Sequence, residues 1–111
     1  MGIKSSVSLY SLQYQYLRGN MDLEQIVDYV MGLGADGIEL LPDQMLKGTP
    51  TPSEETYAAW DKIIEKHHPG LACDDIFLNT NLYSNRTLTK RECVDLIKKE
   101  IVMAHRLGFK V

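Results

Sequence analysis

The sequence predicts an α/β fold in which strands and helices alternate, as in one half of a closed eight-stranded barrel. Strand starts near Ile3, Gly37, Leu71 and Phe109 recur every thirty-odd residues, about the length of one strand-helix-strand step. Each of the three helix patterns between them begins at a capping residue and carries an apolar stripe at helical spacing. This alternation predicts a parallel sheet, because strands joined by crossover helices run in the same direction.

The first unit runs from a short strand into a capped helix. The segment Val7–Ser11 alternates apolar and polar residues, as a half-buried strand does. The segment Asp22–Gln25 matches a capping box, in which two side chains satisfy free backbone N–H groups. Gly34 is expected to end this helix, because glycine readily takes the left-handed conformation there. The predicted apolar stripe of the helix is Leu23, Ile26, Val27, Val30 and Met31.

The second unit begins with Gly37–Leu41, an apolar run of the length expected for a buried strand. The glycine and proline residues of Asp43–Pro52 predict a loop. Ser53 is a helix cap, and we expect that helix to end near His67, because the residue before Pro69 is pushed away from helical angles. The predicted inner face of the helix is Tyr57, Trp60, Ile63, Ile64 and His67.

The third unit repeats this scheme and leads into a fourth strand. It consists of a strand at Leu71–Leu78, a polar loop at 79–88, and a helix that opens with a capping box at Thr89–Glu92 and closes at Gly108. The segment Phe109–Val111 then starts the fourth strand. We therefore expect residues 1–111 to form one incomplete domain, the N-terminal half of a barrel. The predicted stripe of the third helix is Val94, Ile97, Ile101, Ala104 and Leu107.

Composition narrows the class of protein. With 44% hydrophobic and 24% charged residues, the chain is close to the average of globular domains. No apolar run approaches the roughly 20 residues of a membrane helix, and the N-terminus lacks the apolar core of a secretory signal. The net charge of −3 provides no basic surface for nucleic acid. We expect a cytoplasmic protein with no membrane and no nucleic-acid partner.

Two local patterns have structural rather than functional interpretations. Gly32–Gly37 matches G-x-G-x-x-G, but a dinucleotide site needs a strand before the motif and a helix after it. Here the predicted order is reversed, so these glycines should end a helix and start a strand. Cys73 and Cys93 have neither the spacing of a zinc site nor a secretory context, and we expect both to be reduced.

Polar residues on the inner side of the predicted strands are the candidate site. Neighbouring strand residues point to opposite faces, so Asp74 and Asp75 cannot easily share a proton. If Ala72, Ile76 and Leu78 face the outer helices, the residues that face the barrel interior are Cys73, Asp75, Phe77 and Asn79. The same alternation places Glu39 inward, and Tyr10 would join them from the first strand.

These inward polar residues have two possible roles. Charged residues are almost never fully buried without partners, so Glu39, Asp75 and Asn79 either line a wet pocket or pair internally. The reactive face of a parallel barrel is built from the C-terminal ends of its strands and the loops that follow. We therefore predict Tyr10, Glu39, Asp75 and Asn79 as substrate-binding residues.

Three segments of the chain carry a resemblance to a known family: Ser8–Ser11, Leu33–Leu40 and Ala104–Val111. They resemble the N-terminal half of the sugar phosphate isomerase/epimerase family, the xylose-isomerase-like TIM barrels. The segments Asp43–Met45 and Cys73–Thr80 further resemble the branch that includes the catalytic subunits of bacterial C-glycoside deglycosidases. The resemblance covers nearly the whole chain but about the first half of the family's barrel.

The resemblance implies a divalent-metal enzyme of carbohydrate metabolism that transfers protons next to a sugar carbonyl. Its Mn, Mg, Zn or Co ion is bound mostly by strands five to eight of the barrel. No catalytic residue, no metal ligand and no activity is therefore expected in this segment alone, and the predicted site residues would contact a sugar or sugar conjugate. Two alternatives stay open: cleavage of 3-oxo-C-glycosides, and a self-associating half-barrel that serves as a scaffold or binding module. In the self-associating half-barrel, a second copy of the chain pairs with the open sheet edge in place of the remainder of the barrel.

Overall fold

The computed structural model describes residues 2–76 and 87–111 and has a mixed α/β fold. Strands β1 (Ser6–Ser8), β2 (Gly37–Leu40) and β3 (Gly70–Asp74) form a parallel sheet in that order, which confirms the predicted class and strand direction. In the described residues a 3₁₀ helix at Leu9–Leu12 follows β1. The α-helices of the same ranges are α1 (Gln13–Leu17), α2 (Leu23–Gly32), α3 (Pro42–Met45), α4 (Glu54–His67) and α5 (Lys90–Leu107).

The hydrophobic core lies between the sheet and the helices. Ile38 and Leu40 of β2 are fully buried there, as the predicted alternation along this strand requires. Trp60 of α4 is also buried, and its Nε1–H donates to the Leu107 carbonyl oxygen at 3.0 Å, so α4 and α5 are joined inside the core. The remaining buried members of this cluster are Leu9, Leu23, Ile26, Val27, Val30, Met45, Leu46, Ile63, Met103, Leu107 and Phe109.

Two glycines set the distance between β2 and β3. Gly37 is paired with Gly70 in the register, and a Cβ atom built on Gly37 would lie 2.5 Å from the Gly70 carbonyl oxygen. Real Cβ atoms do not approach a backbone oxygen so closely, so the two strands can pair this tightly only without a side chain at residue 37. The motif Gly32–Gly37 thus ends a helix and starts a strand, as predicted.

The predicted helix boundaries are confirmed by their caps. The Gln25 backbone N–H donates to Asp22 Oδ1 at 2.8 Å, and the Gln25 side chain accepts from the Asp22 N–H, which completes a capping box. Thr89 forms the second capping box at the start of α5, and Ser53 caps α4. Gly34 and Gly108 follow α2 and α5 with φ angles of +88° and +99°.

The first strand is shorter than predicted. It does not start near Ile3 or extend to Ser11, because the chain turns into the 3₁₀ helix directly after Ser8. Leu9 packs in the core from the 3₁₀ helix, so the period-two pattern of Val7 and Leu9 does not require an extended segment beyond Ser8. Tyr10 therefore lies on a 3₁₀ helix rather than on a strand.

Two other predicted boundaries differ from the structure. The segment predicted as a loop after β2 contains α3, which Pro42 opens at a position where its fixed φ favours a helix. Met45 and Leu46 are buried, so this part of the chain contributes to the core. Strand β3 ends at Asp74, whereas the prediction extended the strand to Leu78, and residues 77 and 78 lie outside the described residues.

Helix α5 buries a different stripe from the predicted one. Leu107 is buried and Ala104 is half-buried, as expected, but Val94 is exposed and Ile101 is 58% exposed. The buried side includes Met103, which packs in the same core cluster as Trp60 and Phe109, and it also includes Glu100. Packing against the core therefore determines which side of α5 is buried.

The predicted fourth strand is not formed at Phe109–Val111. Phe109 is buried and stacks on Trp60, with 6.0 Å between ring centroids. The Asp74 backbone N–H nevertheless donates to the Val111 carbonyl oxygen at 2.9 Å, which places this segment beside β3. The sheet thus establishes the crossover pattern of a parallel α/β fold. It does not establish a half TIM barrel.

Two further expectations concern thiols and membranes. Cys73 and Cys93 are both free cysteines, as predicted. In the ranges 2–76 and 87–111, none of the helices has the length and apolar character required to cross a bilayer.

Replacement of Gly37 by Ala tests the close approach of β2 and β3. We expect Gly37→Ala to lower the free energy of unfolding by about 2 kcal/mol or more, because the new methyl group meets a backbone oxygen that cannot move independently. Gly32→Ala is the matched control, since a Cβ atom there meets nothing within 4 Å and the residue is helical. The control should be neutral or stabilising by up to about 1 kcal/mol. Urea denaturation measures both values, and equal effects of the two substitutions would refute this account.

Candidate functional site

The sheet face opposite the core carries small and polar side chains. Ser8, Glu39 and Cys73 are consecutive partners across the three strands, so their side chains lie on the same face. Glu39 and Cys73 are half-buried rather than packed in the core. We call this set the open face and define it as Ser6, Ser8, Glu39, Cys73 and Asp75.

Glu39 lies at the centre of the open face, on the middle strand. The Ser6 hydroxyl donates to Glu39 Oε1 at 3.3 Å, which links β1 to β2 through side chains. An ionised carboxylate can accept about four hydrogen bonds. Among the described residues, the bond from Ser6 leaves Glu39 with capacity to accept donors from a ligand.

Cys73 and Asp75 form a second polar pair on this face. The Cys73 thiol donates to Asp75 Oδ1 at 3.4 Å, and the Asp75 backbone N–H donates to the Leu40 carbonyl oxygen at 2.7 Å. Burial raises the pKa of the Cys73 thiol first, and the hydrogen bond to Asp75 and the charges of Asp75, Glu39 and Asp74 raise it further. Cys73 is therefore a neutral donor that holds Asp75, rather than a nucleophilic thiolate.

The structure brings together two of the four predicted substrate-binding residues. Glu39 and Asp75 both belong to the open face, as the strand alternation predicted. Tyr10 is 50% exposed on the 3₁₀ helix, so the expectation that it joins from the first strand is wrong. Asn79 lies outside the described residues. The two serines of β1 were missed, although their position on either side of Val7 is the signal that places them on one face.

A second group of acids lies on the opposite side of the sheet, in the helix layer. Asp74 pairs with Leu40 in the register and is 8% exposed, and neither of its carboxylate oxygens has a hydrogen-bond partner within residues 2–76 and 87–111. Glu100 of α5 is 5% exposed. Asp43 of α3 is half-buried, and its Oδ1 also has no hydrogen-bond partner in the part of the chain that the structure describes. We call Asp43, Asp74 and Glu100 the buried acid cluster.

Burial keeps these acids protonated to higher pH than usual. Desolvation is the main cause that raises the pKa of Asp74 to about 7, and the charges of Glu100 and Asp75 add to it. Burial also raises the pKa of Glu100, with a further contribution from Asp43. Burial also raises the pKa of Asp43, and hydrogen bonds from backbone N–H groups lower it by a smaller amount. At neutral pH the cluster therefore holds fewer negative charges than its three carboxyl groups suggest.

Sequence reasoning separated Asp74 from Asp75 correctly but did not find Glu100. The strand period places the two aspartates on opposite faces, and the structure confirms this. Glu100 was missed because the stripe of α5 was chosen from apolar residues alone. Its spacing from Met103 and Leu107, three and seven residues, is the signal that places Glu100 on the buried side.

The described residues, 2–76 and 87–111, contain no group of three or more His, Cys, Asp or Glu side chains that could hold a metal ion. Comparison of the chain with known protein families and with curated proteins finds no match.

The raised pKa of Asp74 predicts a pH-dependent stability. A carboxyl group whose pKa is higher in the folded state than its usual 3.8 stabilises the fold in its protonated form, fully below about pH 4. This contribution is lost as the pH rises toward 7, because the folded chain must then bury a charge. We expect Asp74→Asn to raise the free energy of unfolding by about 2 kcal/mol at pH 8 and to have less effect at pH 4.

Denaturant unfolding at a series of pH values measures this effect. Asp95→Asn is the control, because it removes one carboxylate from an exposed position on the same helix as Glu100. The control should leave the pH dependence unchanged. An Asp74→Asn protein with the same pH profile as the parent would show that Asp74 does not titrate as described.

Proposed function

We propose that this chain forms the N-terminal half of a xylose-isomerase-like TIM barrel that acts as a sugar or sugar phosphate isomerase or epimerase. The observation that carries the proposal is the parallel sheet with one face packed against helices and the other lined by hydroxyl, thiol and carboxyl groups. In a closed barrel, the face opposite the helices is the interior. The open face would then be part of the wall of the sugar pocket, in a cytoplasmic enzyme.

The chemistry of the open face suits a ligand with many hydroxyl groups. Glu39 accepts one side-chain hydrogen bond, from Ser6, and Asp75 accepts one from Cys73 within the described residues. Both carboxylates can accept further hydrogen bonds from sugar hydroxyls. In the proposed enzyme these residues bind and orient the sugar, and they supply neither the metal ligands nor the proton-transfer groups.

A divalent metal ion in such an enzyme polarises a sugar carbonyl or hydroxyl while carboxylates move protons. The described residues do not fit this ion, because they lack a set of three suitable donors. The proposal therefore assigns the metal to polypeptide that completes the barrel.

A second candidate function is a scaffold in which two copies of the chain associate. The specific observation is the edge of β3, where one hydrogen bond joins Asp74 to Val111 and three exposed apolar residues lie nearby. Ile76, Ile101 and Val111 surround a cavity of about 520 Å³ at this edge. An incompletely paired edge is a template for another strand. Sedimentation at micromolar concentration decides this candidate, because a monomer would exclude it.

The test of the enzyme proposal uses the protein expressed from its complete coding region. We expect elemental analysis to find a bound divalent metal, and an assay with aldo and keto sugars to find interconversion. A parallel assay with 3-oxo-C-glycosides separates isomerisation from carbon–carbon glycoside cleavage, the other activity in this group. A protein with no metal and no turnover of either substrate class would refute the proposal.

Glu39→Gln tests the role of the open face in that protein. We expect KM for the sugar to rise about 10- to 100-fold with a smaller effect on kcat, because a hydrogen bond to a charged acceptor is weakened while the shape is kept. Glu65→Gln is the control, since Glu65 is exposed on α4. An unchanged KM in Glu39→Gln would show that the open face does not contact the substrate.

A further inference from the structure

A second candidate site lies in the helix layer, away from the open face. A cavity of about 630 Å³ is formed where α2, α3 and α4 meet, and we call it the α2–α4 cavity. Its volume falls within the range of about 300 to 1,000 Å³ that small-molecule sites occupy. None of its lining residues belongs to the open face, so its function does not depend on the proposed sugar site.

The floor of the α2–α4 cavity is apolar. It is made by buried core residues, among them Trp60, which is 1% exposed. The Trp60 indole N–H already donates to the Leu107 carbonyl oxygen, so it is engaged within the core rather than available to a ligand. An apolar group placed here would leave water without losing hydrogen bonds. The other buried floor residues are Leu23, Met45, Leu46 and Ile63.

The acidic groups at the mouth of the cavity are already engaged. Glu24 Oε1 receives a hydrogen bond from Lys66 Nζ at 2.7 Å and lies 3.2 Å from His67 Nε2. These contacts, the one with Lys66 first, lower the pKa of Glu24, so its charge is present but partnered. The carboxylate of Asp22 is bound to the Gln25 backbone N–H in the capping box.

The basic groups at the mouth are not all engaged. Lys47 and Lys62 line the cavity and are exposed, and neither has a hydrogen-bond or ion-pair partner in the described part of the chain. The charged side chains that line the cavity are three lysines and two carboxylates, so the lining is positively charged overall, although the chain as a whole has a net charge of −3. A negatively charged group at the mouth would complement the ammonium groups of Lys47 and Lys62.

We propose that the α2–α4 cavity binds a small amphipathic anion, a free molecule with an apolar body and one phosphate or carboxylate group. The body lies on the Trp60 floor, and the anionic group lies at the mouth between Lys47 and Lys62. The two requirements together exclude inorganic phosphate, which has no apolar body, and neutral alcohols, which have no charge.

Trp60 allows this proposal to be tested directly, because it is the single tryptophan of the chain and lies in the cavity floor. Hexyl phosphate is the probe, and the Trp60 fluorescence is followed during titration. We expect a saturable change with hexyl phosphate and binding at least about tenfold weaker with hexanol, hexylamine or inorganic phosphate. Hexanol binding as tight as hexyl phosphate binding would overturn the assignment of an anion, and no saturable signal with hexyl phosphate would overturn the site.

Paired lysine substitutions locate the anionic group. We expect Lys47→Gln/Lys62→Gln to weaken hexyl phosphate binding about tenfold. Lys98→Gln/Lys99→Gln is the matched control, because it removes the same charge from exposed positions on α5 that do not line this cavity. Equal affinities of the two double variants would overturn the proposal. Binding to phosphatidic acid vesicles without binding to hexyl phosphate would also overturn it, since the ligand would then be a membrane surface.

Discussion

The structure depends on the burial of one face of its three-stranded sheet. Ile38 and Leu40 place the middle strand against the helices, and Glu39 between them must then point the other way. The helices contribute Val30 and Trp60 to the same layer. Because this core uses a single face, the opposite face is free to carry hydroxyl and carboxyl groups at little cost in stability.

The same alternation gives neighbouring carboxyl groups different chemical environments. Asp75 lies on the open face with a thiol donor, whereas the carboxylate of Asp74 lies in the helix layer and has no hydrogen-bond partner among the described residues. Asp75 is therefore a carboxylate suited to binding, whereas the raised pKa of Asp74 favours its protonated form. Glu100 extends the second environment onto α5. A one-residue shift in the register of β3 would exchange these roles.

The sequence predicted those features that depend on local chemistry. Asp22, Thr89 and Gly108 mark helix ends through their own hydrogen bonds or backbone angles, so each could be recognised without knowledge of the fold. The parallel order followed from the alternation of strands and helices. Glu39 and Asp75 could be placed on one face, because strand periodicity is a local property.

The features that the sequence did not predict depend on contacts between distant segments. The rotation of α5 follows from packing of Met103 in the same core cluster as Trp60 and Phe109. Helical spacing alone allows more than one stripe on α5, and this packing selects the stripe that carries Glu100. Glu100 shares that spacing with Met103 and Leu107, but only the packed helix shows that its charged side chain is buried.

This account is tested most directly by measuring how much the free energy of unfolding falls when adjacent residues of β2 are truncated. The account predicts that Leu40→Ala lowers the free energy of unfolding by about 2 to 5 kcal/mol, because it leaves a cavity in the core. Glu39→Ala, on the opposite face, should cost less than about 1 kcal/mol. A comparable loss for both substitutions would mean that the two faces of the sheet are not divided into a core and an open surface, and would contradict the account.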